Sequence, residues 1–258
     1  MLDSPDPSGI LRRPMRPRAV LLLLLTGACA STPPQPTTPE VAAHVDPVAA
    51  PTPAPASRCG NDHGISIEGQ LGTLAPPHVR QVMRDAQPTL MGCYTRRVEE
   101  LPCLAGRVEM RIRVGNDGAV RWAIPTTSTL GDRATERCLT DAAAALRFDP
   151  PCGGEAEVTY ALDMEGGPDR RPATAWTPQR VETALRTHRA ALATCRHGDQ
   201  RPLQVTLYVA PNGTIAAAGA ALASHEVTEM TDCVLREVQA LRVPTPGSWY
   251  ARTTVTIP

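Results

Sequence analysis

From Pro76 onward the chain carries one pattern twice, and this limits the folds open to it more than any other feature. Val79, Met83, Arg84, Leu90 and Cys93 align at one constant offset with Val181, Leu185, Arg186, Leu192 and Cys195, and Pro76 aligns with Pro178. Val114, Gly118, Val120 and Cys138 align at a second constant offset with Val209, Gly213, Ile215 and Cys233, and Pro151 with Pro246. The offset changes once, so the second copy has the shorter connection after its first helix. Self-similarity of this kind means one supersecondary unit built twice.

The unit itself can be read from periodicity. Val79, Val82, Met83, Leu90 and Val98 follow helical spacing over 77–99. Pro77 suits a helix start, and Pro88 should kink or locally open this helix. Val108, Met110, Ile112 and Val114 alternate with Arg107, Glu109, Arg111 and Arg113, which predicts a half-buried strand over 107–114. Asn116-Asp117-Gly118 is a hairpin turn, because these residues tolerate positive φ. A second strand is expected at 119–125, an amphipathic helix at 133–146 and a last strand at 156–163. The second copy repeats this with helices at 178–195 and 226–241. Its strands fall at 203–210, 214–220 and 250–257, and its turn at Pro211-Asn212-Gly213. Residues 65–71 are a candidate extra edge strand.

The fold class is therefore α+β, in two tandem α-β-β-α-β domains at 59–165 and 174–258 joined by a linker at 166–173. Chain directions make the last strand antiparallel to the first. Each sheet is then three-stranded in the order 2-1-3, with two helices covering it.

Eight cysteines stand in the sequence. Cys93 falls late in the first helix and Cys138 early in the second, at the same end of the helical layer. Cys195 and Cys233 occupy the same places in the second copy. Two bridges, Cys93–Cys138 and Cys195–Cys233, are therefore expected, each worth roughly 3–4 kcal/mol in the chain-entropy model. Such staples suit small domains with only 3% aromatic residues. Cys103 and Cys152 precede strands at opposite ends, so Cys59–Cys103 is the preferred third pair.

The N-terminus supplies the compartment. Arg16 and Arg18 precede an apolar run from Ala19 to Leu25, followed by Thr26, Gly27, Ala28 and Cys29. A basic start, a short apolar stretch and small residues make a secretory signal. With the cysteine directly after them, the segment resembles a bacterial lipobox. The resemblance implies cleavage before Cys29 and lipidation of its thiol. Residues 1–28 are then a signal, with Met15 as an alternative start. Residues 29–58, rich in Pro, Ala and Thr, are a tether able to span up to roughly 90 Å if extended. The expected location is the envelope of a Gram-negative bacterium, anchored by lipid in the outer membrane and facing the periplasm.

Gly92-Cys93-Tyr94 at the first helix end, Leu104-Ala105-Gly106-Arg107-Val108 opening the next strand, Gly115-Asn116-Asp117-Gly118 at the turn, Arg137-Cys138-Leu139, and Arg147-Phe148-Asp149-Pro150 together resemble the AgmX/PglI C-terminal domain, a relative of the TonB C-terminal domain. The likeness covers about 68–164 and, more loosely, 174–258, where Arg196 replaces the tyrosine and Val243 the phenylalanine. It implies a periplasmic protein-interaction module of an envelope complex, related to motility or to TonB systems, and no enzyme.

Little chemistry competes with that reading. Charge is balanced, with 26 basic and 26 acidic residues, which argues against nucleic acid. There is no phosphate loop or nucleophile elbow. His188, Cys195 and His197 lack a second cysteine pair at zinc spacing. Arg107, Arg111, Arg113 and Arg121 read as a solvated face, and Asn212-Gly213-Thr214 as a turn before a glycosylation site. No cofactor, metal, catalytic residue or small-molecule substrate is expected. The expected partner is an envelope protein, paired at the edge strand through Tyr250, Arg252, Thr254, Val255 and Ile257. The second reading is a structural envelope lipoprotein, a spacer or assembly factor with no strand-pairing partner, and the remote third is an enzyme.

Overall fold

Alternation becomes a sheet where the side chains demand it. The computed structural model describes residues 71–258, which fall within one of the chain's two units, Ala54–Pro258. Cys29, Cys59, the signal segment, the tether and all but the last residue of 65–71 lie outside the described residues. In the first half, α1 spans Pro76–Glu100, β1 Gly106–Val114, β2 Val120–Ser128, α2 Arg133–Ala144 and β3 Ala156–Met164. Val108, Met110, Ile112 and Val114 are fully buried, and their polar neighbours in β1 face the other way. The sheet is antiparallel in the order β2-β1-β3. Asp132 caps α2, its carboxylate accepting from the Thr135 N–H at 3.0 Å.

The second half contains β4 (Thr174–Ala175), α3 (Gln179–Thr187), α4 (Arg189–Arg196), β5 (Leu203–Val209), β6 (Ile215–Ala220), a short 3-10 turn at His225–Val227, α5 (Thr228–Gln239) and β7 (Ala251–Ile257). Its sheet runs β4-β7-β5-β6. The β6-β5-β7 part repeats the first sheet. β4 is an addition: the Thr174 and Trp176 N–H groups donate to the Tyr250 and Arg252 carbonyls, both at 2.9 Å, pairing parallel to the start of β7. Two residues are too few to show any period in sequence.

The first helices differ against expectation. α1 continues through Pro88. Its counterpart, expected whole, breaks at His188, where no proline stands. Thr187 beside the break donates its hydroxyl to the Ala184 carbonyl at 2.7 Å.

The hairpins match closely. In each, the turn glycine has positive φ, 76° at Gly118 and 79° at Gly213. The Gly118 carbonyl accepts from Phe148 N–H at 2.9 Å, and the Gly213 carbonyl from Val243 N–H at 3.0 Å. Asp117 and Asn212 each accept from the N–H two residues on, at 3.1 Å. Both pairs carry a bulge in the same place, after Arg113 and after Tyr208.

The halves meet along a joint. Tyr208, fully buried, leaves its own sheet on the side away from α4 and α5 and packs in the first half's core. Its hydroxyl donates to the Ala105 carbonyl at 3.0 Å. The Leu222 N–H donates to the Pro125 carbonyl at 2.7 Å. Arg97 reaches the Ala216 carbonyl at 3.2 Å, and Arg133 binds Asp232 at 2.6 Å. Gly131 and Gly219 permit the approach: a Cβ on Gly219 would stand 2.5 Å from the Glu136 carboxylate.

Candidate functional site

Placement of the cysteines comes first, because they hold the helices that frame the site. Cys93–Cys138 joins α1 to α2 with Cα atoms 5.7 Å apart, and Cys195–Cys233 joins α4 to α5 at 5.4 Å. Two disulfides fit an oxidising compartment. The expected Cys59–Cys103 pair is not made: Cys103 is a free thiol inside the first core. Burial pushes that thiol up to about 11, so it is protonated and unreactive. Cys152 is itself disulfide-bonded.

The strand expected to bind partners is β7. Ala251, Thr253, Val255 and Ile257 face inward; Arg252, Thr254 and Thr256 face outward. Val255 and Ile257 therefore belong to the second core, and their side chains are not available to a partner. Tyr250 packs against the first core and meets Trp249 edge-on at 5.4 Å. Arg252 serves the joint, donating to the Thr129 carbonyl with its guanidinium 5.6 Å from the Tyr208 ring. Thr254 bonds the Thr206 hydroxyl at 2.9 Å. Of the five residues, only Thr254 contributes to the outer edge beyond β4.

Backbone parity defines that edge. N–H and C=O of one residue point to the same side of a strand, and neighbours alternate. The Tyr250 and Arg252 carbonyls accept from the β4 side. The N–H and C=O groups of Thr254 and Thr256 consequently point the same way, while those of Val255 point to β5. The expected open edge is thus narrower than 250–257: β4 covers Ala251 and Arg252, and no strand among the described residues pairs with the outer side beyond them.

A groove of about 840 Å³ borders this free stretch, with Leu185, Arg186, Arg189 and Leu192 on one wall and Thr256 and Ile257 on the other. Among the described residues Arg186 bonds the Thr183 hydroxyl, at 2.9 Å, and neither it nor Arg189 has a carboxylate partner there. Arg196 lines the groove but is committed. It is buried and donates to the Asp199, Arg201 and Ile257 carbonyls. Asp199 is held down to about 2 by its hydrogen bonds from Arg201.

The remaining polar groups divide between pairs and edges. Arg107 pairs with Asp163 at 2.6 Å, and Arg113 with Glu155 at 2.9 Å and Glu157 at 3.1 Å. Arg121 lies 3.3 Å from Asp117. His188 sits at the α3–α4 break, 3.5 Å from Glu237. His197 ends α4 in the left-handed region, and Cys195 between them is in its disulfide.

Sequence reasoning missed Thr256, Arg186 and Arg189. Alternation shows which residues of β7 face outward, but the hydrogen-bonding parity depends on which strand lies alongside. No helix among the described residues is long and apolar enough to cross a membrane. No family model, no curated protein and no solved structure matches the chain.

Proposed function

We propose that this chain is a non-enzymatic adaptor of a bacterial envelope complex, held to the outer membrane by lipid on Cys29 and carried on its proline-rich tether. Its AgmX/PglI- and TonB-like halves would present one edge, at Thr254 and Thr256 of β7, to an extended segment of an envelope protein. The observation that carries this reading is the outer side of β7, unpaired among the described residues, next to a groove partly lined by leucine. Main-chain hydrogen bonds supply affinity in such strand addition, and side-chain pockets supply selectivity. Leu185, partly buried at the groove, favours an apolar side chain there. Arg186 and Arg189 favour a segment that also carries a carboxylate.

Edge parity chooses the test. Val255→Pro would delete an N–H that serves β5 and disturb the core. Thr256→Pro deletes an outward N–H and leaves the β5 backbone pairing intact, as edge prolines do, losing there only the exposed Gln204–Thr256 side-chain bond. In-cell crosslinking should recover an envelope protein with the wild-type chain. Loss of one or two backbone bonds, about 1–3 kcal/mol, should cut its yield about tenfold or more in Thr256→Pro, with the thermal transition unchanged. Full capture by a folded Thr256→Pro chain would remove edge pairing and leave the spacer reading.

A further inference from the structure

The joint between the halves has a carboxyl group at its centre. Glu136, on the first turn of α2, is fully buried. Its Oε1 accepts from the Ser128 hydroxyl at 2.6 Å and lies against Gly219 of β6, where an added Cβ would stand 2.5 Å away. Glu136 is therefore bonded to the first half's own β2 and packed against the edge strand of the second half. Its Oε2 has no hydrogen-bond partner, and neither has Nη1 of Arg133, 3.9 Å away. Arg133 is instead engaged across the joint, with its Nε on Asp232.

The charges facing this carboxyl do not cancel it. From α2 come Asp132 and Arg133, and from α5 comes Asp232, which takes the Arg133 guanidinium and also lies 3.9 Å from Arg137. From α1, Arg97 is spent on Asp132 and Glu100. β5 brings Tyr208 and β6 brings only backbone. From β7, Arg252 is held at the Thr129 carbonyl. A carboxylate buried in such a place is disfavoured against the neutral acid. Burial raises Glu136 from the ordinary 4.5 to about 7, more than its hydrogen bonds and Arg133 lower it.

We propose that the joint is a pH-responsive contact, tighter when Glu136 is protonated and looser when it is ionised. When the joint opens, Glu136 meets water and returns to the ordinary carboxylate range. Between the two values the closed joint holds a proton that the open one has released. The extra stability is complete below about 4.5, declines as pH rises, and is lost above about 7. Cys93–Cys138 and Cys195–Cys233 each lie within a half, so neither prevents this movement. The inference is independent of the partner reading.

The Leu222 amide reports the joint directly, because it donates across it to Pro125. Amide exchange at Leu222, corrected for the intrinsic effect of pH, should speed up by one to two orders of magnitude between pH 5 and 8, the scale set by the shift of Glu136. The Ile112 amide inside the first sheet should change far less. Glu136→Gln, neutral at every pH, should abolish the pH dependence at Leu222. Carbon NMR titration of Glu136 in the unaltered protein gives a second reading that needs no variant, and should place its midpoint near 7. Equal Leu222 protection at pH 5 and 8, or a Glu136 midpoint below 5, overturns the proposal.

Discussion

Arg113 and Tyr208 occupy the same place in the two sheets, on the face turned away from the covering helices and just before the same bulge. Arg113 is partly exposed and paired with Glu155 and Glu157. Tyr208 is fully buried among residues of the other half. Around them the contrast continues. The first sheet's outer face carries Arg107, Glu109, Arg111 and Arg113, whereas the second's carries Thr206 and Tyr208, with Gly219 beneath Glu136. One frame thus supports a wet face and a dry one. The inner faces, which make each half's own core, stay aliphatic in both. Divergence on a single face is sufficient to turn a repeat into a docked pair.

The sharpest way to break this comparison is to remove both members. Tyr208→Ala empties a large buried site and leaves the Ala105 backbone without its hydroxyl partner. It should cost about 3–5 kcal/mol, the range for aromatic truncation in a core, and should loosen both halves. Arg113→Ala removes ion pairs that are partly solvated, worth about 1 kcal/mol or less. Urea denaturation of the two variants measures the difference. Similar losses would mean that the joint contributes no more than a surface ion pair.

Where the halves agree, they should respond alike. A Cβ on Gly118 would stand 2.0 Å from the Phe148 carbonyl oxygen, and one on Gly213 2.3 Å from that of Val243. Both glycines also need positive φ. Gly118→Ala and Gly213→Ala should each cost about 1–3 kcal/mol from backbone strain, with the close approach adding to it. Denaturation midpoints should fall by similar amounts. A large effect at only one site would show that the second hairpin has been relieved of the constraint the first retains.

These shared features are the ones legible in the sequence. Asn116-Asp117-Gly118 and Pro211-Asn212-Gly213 announce their turns through residues that accept positive φ. Alternation from Val108 to Val114 marks the buried face, and two cysteines at repeat positions mark the helix pairing. All of these are local or are doubled by the repeat. The joint is neither. Tyr208 looks like any aromatic in a strand, and no periodicity says which half will cover it. The break at His188 falls at Thr187-His188-Arg189, where neither proline nor glycine marks it. The free edge at Thr256 was hidden because β4 is two residues long and fixes the parity of β7 by hydrogen bonds alone. Cys59–Cys103 is preferred in sequence because Cys103 and Cys152 precede strands at opposite ends; the place of Cys103 in an apolar core cannot be read from spacing.

The smallest expected effect tests a substitution between the halves. Tyr94 and Arg196 stand at equivalent helix ends, and both secure the loop that leads into the next strand. Tyr94 does this with one bond, its hydroxyl donating to the Leu104 carbonyl at 2.8 Å. Arg196 reaches three carbonyls, at Asp199, Arg201 and Ile257, and the third draws the end of β7 against α4. The planar fork of an arginine allows one side chain to satisfy several acceptors, so the second half holds its shorter connection at more points. Tyr94→Phe keeps the ring in the core and removes only the hydroxyl. It should cost about 1 kcal/mol, the usual worth of one buried hydrogen bond. Amide exchange should quicken around 101–105 and remain unchanged in β7. A loss above about 3 kcal/mol would exceed what one hydrogen bond supplies and would show that this hydroxyl holds more of the first half than its single bond to Leu104.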